Sequence, residues 1–189
     1  MITMIGGVVV NVRSDWVLLA SKGDKDAFTE IYHSCYNDFY KFSLYTLGNA
    51  EDAADAVSDA FFEVWKGLPK LKNPDCFASW AFRILTVCCK KQISGIIQKR
   101  KTYDLDDLTE TPSDSAAPLE ESITEASALA HALSQLDAEE RMVIVFSVLY
   151  GYTNKEIAEM LGKPQGTVSS KIHRTYAKLR SMLGGENRE

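Results

Sequence analysis

Residues 153–180, TNKEIAEMLGKPQGTVSSKIHRTYAKLR, read as two short helices about a tight turn. Thr153 can cap the first helix, with Glu156 three residues on closing a capping box over the free amides of the helix start. Ile157, Ala158 and Leu161 supply its apolar stripe. Gly162 stands where that helix should end, because glycine accepts the left-handed backbone that turns the chain, and Pro164 keeps the helix from resuming. The second helix carries Val168, Ile172, Thr175, Leu179 and Met182 on its apolar side and Gln165, Thr167, Ser169, Ser170, Lys171 and Arg174 on its outward side.

This is the pattern of a helix-turn-helix, in which the first helix holds the second so that its N-terminal polar residues face the major groove of DNA. The charge agrees with that reading. From Met160 to Gly185 the chain has five Lys or Arg (Lys163, Lys171, Arg174, Lys178, Arg180) and no Asp or Glu, which suits a surface that neutralises phosphates. The plainer alternative is a helical hairpin with a solvated basic face.

The 189 residues suffice for one domain or two small ones, and a hydrophobic content of 46% supports a core. A net charge of −5 argues against a protein that coats DNA non-specifically, so any DNA contact must come from local basic patches. Cys35, Cys76, Cys88 and Cys89 lack the spacing of a metal site and read as reduced thiols, a redox role for one being the lesser alternative. Met1 to Val12 is apolar but has no basic leading region and only a short apolar block, so neither a signal peptide nor a membrane span is expected there; Met4 is an alternative start.

Earlier in the chain the pattern is helical throughout. Asp15 is placed to cap a short helix through Ala20, and Asp24 to start a long aromatic-rich one that reaches Gly48. A third, from Ala50 or Glu51 to Lys66, buries Val57, Phe61, Val64 and Leu68 and lines up Asp52, Asp55, Asp59 and Glu63 on one exposed stripe. That stripe is either an ordinary solvated face or a docking face for a cationic protein partner; with no His nearby it does not suit a metal. A basic loop with Lys70, Lys72 and Asn73 follows, then a helix through Ile97 in which Arg83 to Lys101 holds six basic residues (Arg83, Lys90, Lys91, Lys99, Arg100, Lys101) and no acid. From Tyr103 to Glu125 there are eight acidic residues and no Lys or Arg, the composition of a flexible tether. Beyond it come Leu129, Leu133 and Leu136, a second capping-box pattern in Asp137 and Glu140, and an apolar run from Val143 to Tyr150.

Five phrases in order, GDKDAFTEIY, LGNAEDAADAVSDAFFEVWKGL, FASWAFRIL, LSQLDAEERMVIVFSVLYGYTNKEIAEMLG and PQGTVSSKIHR, make the chain resemble the extracytoplasmic-function branch of the bacterial sigma-70 family. The resemblance covers about Ser14 to Lys101 and Ala126 to Leu183. It implies an all-α fold of two small helical domains, sigma domain two at 14–101 and sigma domain four at 127–184, joined by an acidic linker at 102–126, with an N-terminal extension at 1–13 and a tail at 185–189. It further implies an alternative sigma factor, cytoplasmic, that directs core RNA polymerase to promoters and assists their melting.

By the same resemblance Asp52, Asp55, Asp59 and Glu63 dock on the clamp helices of the largest polymerase subunit, and the fourth domain meets the flap. Lys70, Lys72, Asn73, Arg83, Lys90 and Lys91 read the melted minus-ten element by base capture, and Gln165, Thr167, Ser169, Ser170, Lys171 and Arg174 read the minus-thirty-five duplex, with Lys171 and Arg174 leading. Partners implied are core polymerase, promoter DNA and an anti-sigma factor, in many relatives a membrane-anchored one, with no membrane insertion of the chain itself. Opening is driven by binding energy, so no cofactor, metal, ATP or catalytic residue is expected. Two positions depart from the family pattern: Val87 stands where relatives commonly carry an asparagine that reads the minus-ten strand, and Ser169 where they commonly carry a basic residue. The rival reading is a stand-alone helix-turn-helix regulator with a helical sensor domain, and a third is a helical adaptor.

Overall fold

Caps and breakers set the elements. The computed structural model describes residues 12–103 and 131–183, with 96–103 as backbone only, and among the described residues there is no strand. Helix α1 spans Ser14–Ala20, α2 Lys25–Leu47, α3 Ala50–Gly67 and α4 Phe77–Tyr103. Two single turns of tighter helix, Leu68–Lys70 and Pro74–Cys76, lie between α3 and α4. After a helical turn at 131–134 come α5 (Ala138–Ile144), continued by a wider π-helical turn over Val145–Leu149, then α6 (Asn154–Leu161) and α7 (Gln165–Met182).

Asp24 caps α2 by accepting from the Ala27 amide at 2.9 Å, and Asn49 caps α3 by accepting from Glu51 and Asp52 at 2.7 and 3.2 Å. Both expected capping boxes form, Asp137 with Glu140 on α5 and Thr153 with Glu156 on α6. Gly162 ends α6 at φ 66°, the left-handed conformation that turns the chain into α7. One start differs from the expected one: α1 begins at Ser14, and Asp15 sits inside its first turn, where it takes the Arg13 guanidinium at 2.6 Å and the Trp16 amide at 3.1 Å.

Helices α2, α3 and α4 enclose a core in which the Phe39 ring lies 5.0 Å from that of Phe61 and 5.1 Å from that of Phe82. The expected buried face of α3, Val57, Phe61, Val64 and Leu68, is buried as a set. Tyr150 donates its amide to the Val145 carbonyl at 3.2 Å, five residues back, so the π turn carries an extra residue. The extra residue shifts the register: Leu149, expected on the apolar side, is 45% exposed, while Phe146 and Tyr150 turn inward.

Sequence alone left the packing of the two halves open. In the structure they share one hydrophobic core, in which the Phe146 ring of the second half lies 4.4 Å from that of Phe42, tilted against it, and meets that of Phe82 edge-on at 5.8 Å. A smaller cluster of Ala132, Leu133, Leu136, Ile144 and Leu179 touches Tyr45 of α2. The acidic segment, Leu129 and the N-terminal extension before Val12 lie outside the described residues.

Candidate nucleic-acid interface

Three surfaces carry the predicted residues. On α7, Val168, Thr175 and Leu179 face inward, and the Thr175 hydroxyl is satisfied by the Lys171 carbonyl at 2.8 Å. Gln165, Thr167, Ser170 and Arg174 are exposed, as the sequence led us to expect. Ser169 is half-buried and accepts from Asn154 Nδ2 at 3.0 Å, which ties the start of α6 to α7.

Lys171 is turned aside. Its Nζ lies 2.7 Å from Glu139 Oε2 and 3.8 Å from Asp137 Oδ2, with only 22% of the side chain exposed, so it is engaged on the α5 flank and not at the outward crest of α7. Lys163 pairs with the same Glu139 carboxylate, and Lys178 lies 3.0 Å from Glu140. Burial alone would raise the Glu139 carboxyl, but the hydrogen bonds and charges of Lys163 and Lys171 outweigh it and hold it down at about 2. Of the five cations counted from the sequence, Arg174 and Arg180 alone make no ion pair among the described residues.

At 100° per residue the centre of the exposed face falls on Ser170 and His173, with Arg174 on one side and Arg180 on the other. Asn154, Ser169, His173, Tyr176 and Arg180 line a groove of about 440 Å³ there, with Tyr176 54% exposed. His173 and Tyr176 were missed by sequence reasoning, which sought cations near the helix start. The available signal was position: 173 lies four residues from 169 and three from 170.

The second surface is the loop and the outer side of α4. Lys70, Lys72 and Asn73 are exposed, Asn73 also holding the Asp75 amide at 3.0 Å. Arg83 and Lys91 are exposed two turns apart and line a groove of about 400 Å³ with Glu63, Trp80, Ile84 and Val87. Gly67 is required at the base of this groove, since a Cβ there would lie 2.7 Å from the Trp80 ring. Val87 is 47% exposed and makes this wall apolar where an asparagine would offer hydrogen bonds. Lys90 departs from its neighbours: it is half-buried and donates to the Leu161 carbonyl at 3.3 Å. Burial lowers its pKa, with Glu139 opposing and Lys163 reinforcing that shift.

The third surface is the outer face of α3. Asp55 and Asp59 are exposed, Asp52 and Glu63 half-buried, and Glu63 pairs with Lys66 at 3.0 Å. Phe62 is 62% exposed beside this stripe, with the Lys66 ammonium 5.0 Å from its ring centre. The sequence reading assigned Phe61 to the core and passed over Phe62.

All four cysteines are free; burial raises the Cys35 thiol and pushes Cys89 up to about 12, so neither is a ready thiolate. Among the described residues no group of His, Cys, Asp or Glu is placed to hold a metal, and no helix is long and apolar enough to cross a membrane.

Comparison with known proteins accords with this geometry. Residues 31–108 match the family model for sigma-70 region 2, and residues 126–179 that for sigma-70 region 4. The chain is 30% identical over 174 residues to the ECF RNA polymerase sigma factor SigM of Mycobacterium tuberculosis, covering 91% of this chain and 86% of that one. It is 29% identical over 178 residues to the ECF sigma factor SigW of Bacillus subtilis, covering 86% and 91%. In fold it is similar to the sigma factor RpoE solved with the anti-sigma factor NepR from Bartonella quintana, at TM-score 0.69 and 20% identity over 87% of this chain and all of that one. It is likewise similar to CnrH solved with the cytosolic domain of CnrY, at TM-score 0.65 and 23% identity over 94% of this chain and all of that one. These matches do not favour a stand-alone regulator: the chain belongs to the extracytoplasmic-function branch of the sigma-70 family and is an alternative sigma factor of RNA polymerase.

Proposed function

We propose that this sigma factor reads promoters at two points while docked on core polymerase by a third surface. The observation that supports this most is the segregation of charge. Exposed carboxylates gather on α3, while cations gather on the α3–α4 loop, on α4 and on the outward side of α7. The Asp55, Asp59 and Glu63 stripe, with Phe62 as its apolar anchor, engages the clamp helices of the largest subunit. Domain four engages the flap.

Lys70, Lys72, Asn73, Arg83 and Lys91 hold the melted minus-ten strand by its phosphates, and Trp80 offers an indole face for stacking. Lys90 joins them once it leaves the Leu161 carbonyl. The minus-thirty-five duplex meets α7 through Gln165, Thr167, Ser169, Ser170 and Arg174, with His173 at the centre of the contact, and Lys171 contributes from the flank. No step in this scheme makes or breaks a covalent bond. The protein acts in the cytoplasm, where its polymerase is, and an anti-sigma factor, either free or membrane-anchored, restrains it.

The test separates the surfaces within the full chain. Asp55→Lys with Asp59→Lys should weaken binding to core polymerase by at least tenfold. Arg174→Ala should leave core binding intact and weaken upstream-element recognition, lowering the slope of log affinity against log salt by about one. Loss of core binding in Arg174→Ala, or normal core binding in the α3 variant, contradicts these roles.

A further inference from the structure

We propose that Glu139 of α5, which lies outside every assigned DNA contact, sets how strongly α7 grips DNA of any sequence by holding Lys163 and Lys171 back from the phosphates. It is a positioning residue, acting through two lysines, and the proposal rests on the upstream-reading role of α7 given above.

The two lysines stand where phosphates pass. A recognition helix offers its first turns to the major groove, so the backbones that wall the groove lie on either side of those turns. Lys163 sits in the turn that leads into α7, and Lys171 in the second turn of α7, next to the exposed Ser170. An unpaired ammonium group at either place displaces a counterion from DNA and adds affinity without regard to sequence.

One carboxylate holds both. Glu139 Oε2 accepts from Lys171 Nζ at 2.7 Å, Glu139 Oε1 pairs with Lys163, and Asp137 Oδ2 lies 3.8 Å from Lys171. These are not loose surface pairs. The Lys171 and Glu139 side chains are only 22% and 29% exposed, so salt and water screen them weakly. Asp137 and Glu140 close the capping box that starts α5, which fixes the backbone on both sides of Glu139. A phosphate that takes one lysine leaves this carboxylate short of a partner. One that takes both leaves it unpaired, part-buried and facing like charge.

The same helix also engages a third cation, since Lys178 lies 3.0 Å from Glu140. What α7 keeps outward is Arg174, without an ion pair among the described residues, together with Gln165, Thr167 and Ser170. Those three neutral side chains hydrogen-bond to base edges. With phosphate grip trimmed, a larger share of the binding free energy depends on sequence. The Glu139 carboxyl, held at about 2, is ionised throughout the neutral range, so the restraint is permanent there.

Salt dependence tests this with the full chain on core polymerase. The probes are a promoter duplex recovered by run-off transcription from a randomised library, and the same duplex with its upstream element scrambled. Glu139→Gln should bind the scrambled duplex about fivefold more tightly at about 0.1 M salt, and should steepen log affinity against log salt by about one to two. Adding Lys171→Gln to that variant should take back about one unit of slope. Lys171→Gln in the parent, a measurement independent of how well the Glu139 variant folds, should cost less than half the slope that Arg174→Ala costs. An unchanged slope in Glu139→Gln, or equal losses in Lys171→Gln and Arg174→Ala, overturns the proposal. A parent that holds both duplexes equally, with no change of slope in Arg174→Ala, overturns the upstream-reading role and the role of Glu139 with it. A parent that discriminates between the duplexes but does not respond to Glu139→Gln overturns the role of Glu139 alone.

Discussion

Lys171 and Glu139 are 32 residues apart in sequence and 2.7 Å apart in space, and the pair changes what each residue does. A lysine read as a leading DNA contact spends its charge on α5, while Glu139 fastens two lysines, one before α7 and one on it. Because the Glu139 carboxyl is held at about 2, below its ordinary 4.5, its contribution to stability is complete above pH 4.5 and is lost as pH falls from there through about 2. Glu139→Gln should therefore destabilise the protein by about 1 kcal/mol near neutrality. The gap to the parent, read from urea midpoints, should narrow as pH falls across that window; a gap independent of pH argues against the ion pairs as its source. The capping boxes at Asp137 and Thr153 and the helix start at Asp24 were legible in the sequence because donor and acceptor lie within three residues of each other, whereas the Asn49 cap, just as local, was passed over. Lys171 was not, since its partner is set by tertiary packing. His173 was passed over for its chemistry, although helical spacing put it in view.

Among the elements, the α6–turn–α7 unit was the most legible because its stop signal is a backbone requirement. Gly162 at φ 66° needs no packing partner to explain it, and nothing lies within 4 Å of where a Cβ would be. Gly162→Ala thus carries only the backbone cost, about 1 kcal/mol. It should lower the denaturation midpoint by that amount with no change in the slope of the transition; an unchanged midpoint would mean the turn is not held in this conformation. The π turn over Val145–Leu149 was the least legible element. Its apolar run fits an α-helix equally well, and only the docking of Phe146 and Tyr150 against α2 and α4 selects the wider turn. Phe62 was illegible for a related reason: of two adjacent rings on one helix, tertiary packing decides which faces outward.

For the whole molecule, the sequence displayed two helical units and an acidic join, and both units are present. It did not display their shared core, because the aromatic residues that make the seam have the same spacing as residues that pack within a single unit. The seam has a consequence that needs no polymerase. If a protease site is inserted between residues 104 and 130 and cut, the two pieces should co-elute in size-exclusion chromatography as one species of the parent's size; two separate peaks would show that the core does not span them. The central claim is that the chain confers promoter selectivity on core polymerase. Its most direct test is run-off transcription on a library of randomised promoters with purified bacterial core polymerase, with and without the full chain. New start sites downstream of paired elements, present only when the chain is added, are the predicted result. The same start sites from core polymerase alone would contradict it.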